Sequence, residues 1–231
     1  MSDRFRAVLF DFAGTLFMPV APETMMSAAL ERIGLQLGTQ ERDELAAEYA
    51  RVGIAGGPYP DEVPEALADL YARRDLSAEN HRRAYVGLLS GVPAPSPALA
   101  GAFYEELLRP ESWVAYAEAD TVVDALTGAG LRVGLISNVG FDLRPILRGH
   151  GFSVLAERLT MSFEVGVAKP HAEIFAAALG ALGVGAQETL MVGDNAEADD
   201  GGLALGIATL LLPMTPPGSR HGLEVLLALA R

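Results

Sequence analysis

Short, unbroken apolar runs that stop abruptly at a polar residue constrain this chain more than any other feature. The first is Arg6-Ala7-Val8-Leu9-Phe10-Asp11, followed at once by Gly14-Thr15. An apolar segment of that length without alternation reads as a strand buried on both faces, and the glycine marks a tight turn at its tip. Residues 131–136 repeat the pattern and close on Ser137-Asn138, and residues 189–192 close on Gly193-Asp194. Residues 207–212 form a further run, with a fainter one at 159–163. Helical patterns lie between: residues 121–129, stopped by Gly130, and a small-residue stretch at 196–205. This alternation predicts an α/β fold, a doubly wound (Rossmann-like) parallel sheet with right-handed crossovers and helices on both faces. Ligands in such folds bind beyond the carboxyl ends of the strands, where the polar residues fall.

The segment 17–110 breaks the rhythm. Helical patterns at 23–35, 40–52, 62–73, 78–89 and 98–108 follow one another without a strand, joined by Gly- and Pro-rich loops at 53–60 and 90–97. We read an inserted all-α cap domain at 17–110 and a catalytic core made of 1–16 and 111–231. A chain of 231 residues suits a core with a modest insert. Half its residues are hydrophobic and a fifth charged, a globular balance.

Charge and composition exclude some functions. A net charge of -13 opposes binding to a nucleic-acid backbone. No cysteine is present, which removes thiolate metal sites, disulfides and a Cys nucleophile. The apolar run 7–12 is too short for a signal-peptide core, and no segment reaches the roughly 18 apolar residues of a membrane helix. The expectation is a cytoplasmic protein, monomer or homodimer, without membrane or nucleic-acid partners. Its basic residues are almost all Arg, Lys169 being the one Lys, a composition that suggests a GC-rich bacterial genome.

Four strand-end motifs carry the chemistry. Asp11-Phe12-Ala13-Gly14-Thr15 exposes a carboxylate beside a glycine turn; such a group attacks phosphorus if a cation offsets the repulsion between two anions. Ser137-Asn138 offers a hydroxyl to a substrate oxygen. Lys169-Pro170 places an ammonium just ahead of a helix. Gly193-Asp194, with Asp199 five residues on, supplies the oxygen ligands that magnesium favours. Taken singly, each also reads as an ordinary acidic turn, strand exit, surface cation or solvated helix start.

Together and in this order the four motifs resemble the haloacid dehalogenase superfamily, over residues 7–15 and roughly 113–212, with the helical insert placed like that family's cap. The resemblance implies a hydrolase acting on a small, phosphorylated substrate. Asp11 would be the nucleophile, Ser137 and Asn138 would bind the transferred group, and Lys169 would offset its charge. Asp11, the carbonyl of Ala13 and Asp194 would hold Mg2+, with Asp199 behind them. Family phosphatases carry a second Asp two residues after the nucleophile, which protonates the leaving alcohol and then activates water; here Ala13 stands there. A positioned acid-base contributes roughly 100- to 10,000-fold, so the resemblance implies slow or atypical turnover unless the cap lends an acid, with Glu23 and His81 as sources. The phosphonatase branch also has Ala at this position but needs a cap lysine, which this chain lacks. Two alternatives stay open: a 2-haloacid dehalogenase-like enzyme, which needs no leaving-group acid, and a non-catalytic module that binds a phosphorylated metabolite.

Elsewhere the reading is plainer. Arg73-Arg74 and Arg82-Arg83 with His81 are expected on solvated helix faces, the alternative being contact with a phosphate or carboxylate; Trp113 and Tyr116 are expected to pack where the chain returns from the insert, the alternative being to line the substrate entrance. The loop 53–60 either joins helices or dips toward the site. Residues 223–230 either cover the sheet or join a dimer.

Overall fold

The structure, a computed structural model, describes residues 5–57 and 59–230; residues 1–4 of the expected core, Pro58 of the 53–60 loop and Arg231 lie outside them. Strand β1 (Ala7–Phe10) leads into β2 (Phe17–Pro19), then helices α1 (Pro22–Arg32), α2 (Thr39–Arg51), α3 (Glu65–Ala72), α4 (Ala78–Leu89) and α5 (Leu99–Leu107). The chain returns through β3 (Trp113–Ala115) to α6 (Ala119–Gly128), β4 (Arg132–Ser137), α7 (Arg144–Gly149), α8 (Ser153–Glu157), β5 (Leu159–Met161) and α9 (Ser162–Val165). It ends with α10 (Ala172–Leu182), β6 (Thr189–Gly193), α11 (Ala196–Asp199), β7 (Ala208–Leu211) and a 3-10 helix, Leu223–Ala230.

Five strands form one sheet in the order β5-β4-β1-β6-β7, every neighbouring pair parallel. Alternate residues of β1 show why its run is apolar throughout. Val8 and Phe10 pack with Val122, Val123 and Leu126 of α6 on one face, while Ala7 and Leu9 pack with Ile174, Phe175 and Ala178 of α10 on the other. Phe10 stands in register with Leu135 of β4 and Val192 of β6. That alignment brings Asp11, Ser137 and Asp194 to one edge of the sheet.

Three expectations need correction. The insert is not purely helical from residue 17: β2 pairs antiparallel with β3, Phe17 opposite Ala115 and Pro19 opposite Trp113. The two strands bracket the helices, a pairing no local pattern reveals. The helix expected at 196–205 is α-helical only over α11 and then tightens into the 3-10 segment Asp200–Leu205. Within that segment a Cβ on Gly201 would collide with the backbone carbonyl of Pro170. Helix α3 starts at Glu65, behind Pro64, instead of at residue 62.

The C-terminal 3-10 helix folds back onto the molecule, with Leu223 and Leu226 in the main core. Its entry is clasped by Glu118 Oε1, which accepts the backbone N–H groups of His221, Gly222 and Leu223 at 2.5, 2.7 and 3.2 Å. Trp113 and Tyr116 are both buried. Trp113 donates to the carbonyl of Leu107 at 2.8 Å, and Tyr116 stacks on His221 at 4.1 Å. Among the described residues no helix is long and apolar enough to cross a membrane.

Candidate active site

Asp11 leaves β1 with its N–H held by the carbonyl of Val192 at 2.9 Å, and the chain turns at Gly14, whose φ of +83° suits a residue without Cβ. A second constraint acts there: a Cβ on Gly14 would collide with the carboxylate of Asp194. The turn after the first motif therefore seats the acid of the fourth.

Lys169 Nζ lies 2.8 Å from Asp11 Oδ1 and 2.7 Å from Asp199 Oδ1, its side chain 2% exposed. Asn138 fixes the lysine's backbone from both sides, its Nδ2 donating to the Lys169 carbonyl at 2.8 Å and its Oδ1 accepting the Lys169 N–H at 2.7 Å. Asp199 is fully buried and also accepts the N–H of Asn195 at 3.1 Å. Oxygens of Asp11, Asp194 and Asp199 all lie within 4.8 Å of one another.

Three carboxylates thus meet one ammonium, and the electrostatics show the imbalance. Burial raises Asp11 to about 7, with the pull of Lys169 opposing and the charges of Asp199 and Asp194 adding. Burial together with Asp199 raises Asp194 to about 6. For Lys169 burial acts downward, yet the Asp11 and Asp199 carboxylates outweigh it and hold the ammonium above its ordinary range. An all-oxygen cluster short of positive charge fits a divalent cation. Two ligands of an octahedral magnesium at ~2.1 Å stand at most ~4.2 Å apart, a separation that falls inside the 4.8 Å bounding the three carboxylates.

These groups line one cavity of about 180 Å³ together with Ala13, Ser137 and Asn138. Every sequence-predicted site residue except Asp199 lies on its wall, and Asp199 sits directly behind, bonded to Lys169. The cap closes the other side. Gly56 of the 53–60 loop packs against Trp113 and the methyl of Ala13, so the loop does dip into the site. Tyr59 accepts a hydrogen bond from Asn195 Nδ2 at 3.1 Å.

The sequence reading missed the rest of the cap wall: Tyr71, Arg74, Asp75, Tyr85 and, from the core, Phe141. Arg74 corrects the expectation of a solvated arginine face. Its guanidinium stacks over Tyr71 at 4.1 Å and bonds that residue's carbonyl at 3.0 Å. Arg82 and Arg83 do face solvent, near Glu105 and Glu79. The one available signal was Ser77, which caps α4 by accepting the N–H of Asn80 and so marks a break in the helices just after Arg74-Asp75. Glu23, at the start of α1, is not on the cavity wall.

Fold and site define a capped, doubly wound α/β enzyme with a carboxylate-lined centre at the tip of its middle strand. The chain belongs to the haloacid dehalogenase-like hydrolases, whose family model matches residues 5–205. It is 34% identical over 172 residues to "Haloacid dehalogenase-like hydrolase domain-containing protein 3" of Danio rerio, covering 67% of this chain and 71% of that protein. It is 29% identical over 210 residues to a ribulose-1,5-bisphosphate 5-phosphatase of Halopiger xanaduensis, covering 89% and 83%. The solved putative HAD-hydrolase YfnB of Bacillus subtilis, bound to magnesium, shares the fold at a TM-score of 0.67 and 20% identity, covering 99% of each chain.

Proposed function

We propose that this hydrolase is a magnesium-dependent phosphohydrolase that transfers the phosphoryl group of a small phosphorylated metabolite to Asp11 and then to water. The observation that carries the reading is the clustering of the Asp11, Asp194 and Asp199 carboxylates with one ammonium, that of Lys169, paired to Asp11 and Asp199, a centre short of positive charge. Asp11, the carbonyl of Ala13 and Asp194 would hold the cation. When bound it neutralises charge between the nucleophile and the phosphoryl oxygens. Asp11 attacks phosphorus, Lys169 balances the charge of Asp11 and the incoming group, and Ser137 and Asn138 bind the phosphoryl oxygens. Asp199 holds Lys169 in place. The cavity, smaller than the roughly 300–1,000 Å³ of sites for drug-sized ligands, supports a small metabolite. The relative named as a phosphatase supports the same class.

The methyl of Ala13 on the cavity wall would also suit a dehalogenase, which needs no leaving-group acid, but such a centre has no use for Asp194. The methyl of Ala13 moves no proton, so a leaving alcohol can be protonated only by another group of the cavity. The test is hydrolysis of p-nitrophenyl phosphate by the purified protein. Turnover should require magnesium, stop with EDTA, and fall about 10³-fold or more in Asp11→Asn. Binding of a phosphate ester without turnover would leave a non-catalytic module, and metal-free halide release from a 2-haloacid would make the chain a dehalogenase.

A further inference from the structure

Beside three tyrosines, the cap wall of the cavity carries Arg74, Asp75 and His81, which this reaction leaves unused. His81 is a poor acid. Burial, with the charge of Arg74 adding, lowers it to about 3, so the ring is neutral. Its Nδ1 lies 2.9 Å from the Tyr104 hydroxyl, which leaves Nε2 facing Asp75 Oδ1 at 3.9 Å. Arg74 keeps its charge, and its Nη2 is 3.4 Å from Asp75 Oδ2.

Asp75 is different. Its side chain is only 15% exposed, and burial holds the carboxyl above the ordinary carboxylate range despite the opposing pull of Arg74. Its backbone is anchored to the core: Ser162 Oγ donates to the Asp75 carbonyl at 2.6 Å and accepts the N–H of Val139 at 2.9 Å. Val139 lies two residues past Ser137. The peptide of Asp75 is therefore tied to the loop that follows Ser137, and Asp75 itself shares the cavity wall with Asp11 from the cap side.

We propose that Asp75 is the acid that protonates the departing alcohol, supplying from the cap the carboxyl that Ala13 lacks. The inference rests on the phosphohydrolase reading above. As Asp11 forms its bond to phosphorus, the bond from phosphorus to the ester oxygen breaks and its electron pair passes to that oxygen. The oxygen takes the proton of Asp75, giving the free alcohol and a carboxylate. Once the alcohol has left, a water attacks the phosphorus held on Asp11: its oxygen forms the new bond as the bond from Asp11 to phosphorus breaks, its proton passes to the Asp75 carboxylate, and phosphate and free Asp11 are released. Arg74 and His81 position the carboxyl without exchanging the proton.

The test compares kcat/KM, which reports the steps up to leaving-group departure, across phosphate monoesters from p-nitrophenyl phosphate to n-propyl phosphate, with magnesium present. Asp75→Asn should lose about 100-fold on the alkyl ester and at least tenfold less on the aryl ester, whose leaving group needs little protonation. Equal losses across the series, or none, would make Asp75 a structural member of the cap and overturn the proposal. If Asp75→Asn does not fold, judged by circular dichroism, the wild-type series decides. A shallow dependence on leaving-group basicity supports an acid in the site, and a steep one overturns it. Failure of the underlying reading looks different: the wild type hydrolyses no ester, or Asp11→Asn hydrolyses them as well as the wild type.

Discussion

Lys169 is the residue on which the centre's electrostatics turn. It is buried with two carboxylates at ion-pair distance, and removing one partner of a buried ion pair leaves an uncompensated charge that costs about 3–5 kcal/mol. Lys169→Met should lower stability in urea unfolding by that order. Asp199→Asn placed in the same chain should recover part of the loss, because the two changes touch one network and will not add. If Lys169→Met unfolds with the same urea midpoint as the wild type, the buried triad does not hold the site together. This lysine stood out in the sequence because it has no sibling. Asp75 did not. It is one acid among 30 Asp and Glu residues, and what sets it apart is burial on the cavity wall with its carbonyl bonded to Ser162, which only the folded chain creates.

At the scale of elements, the junction of β6 with α11 is the tightest in the site. A Cβ on Gly193 would overlap the carboxylate of Asp199, which Lys169 and Asn195 already hold from two sides. Overpacking of this kind costs about 1–3 kcal/mol. Gly193→Ala should therefore destabilise by that amount and lower phosphatase kcat, since Asp199 must swing off Lys169. A variant with native melting temperature and turnover would refute the crowding. The core strands were legible because burial on both faces writes an uninterrupted apolar run, and the motif residues because they end those runs. The β2–β3 ribbon was not legible: each strand spans three residues, too few to show a period, and its partner lies at the far side of the cap. Helix ends in the cap shifted by a few residues, as expected where only capping side chains mark them.

For the whole molecule, the net charge of -13 and the acidic centre act in the same direction. A cation that binds the folded chain alone stabilises it by RT ln(1 + [L]/Kd), about 2.7 kcal/mol at 100 times Kd. With roughly 2–4 °C per kcal/mol for a chain of this size, magnesium should raise the melting temperature by roughly 5–10 °C. Asp194→Asn should abolish most of that rise. An equal shift in both proteins would place the binding elsewhere on the acidic surface.

Strand β1 occupies the middle of the sheet, yet its neighbours are residues 132–135 and 189–192. A chain emerging from the ribosome therefore exposes the edges of its most apolar strand until the last third has been made. The cap helices, whose main contacts with one another lie within residues 22–107, are free to form long before. Synthesis of this protein consequently carries a built-in waiting period, during which β1 is a template for wrong partners and a natural client for a chaperone.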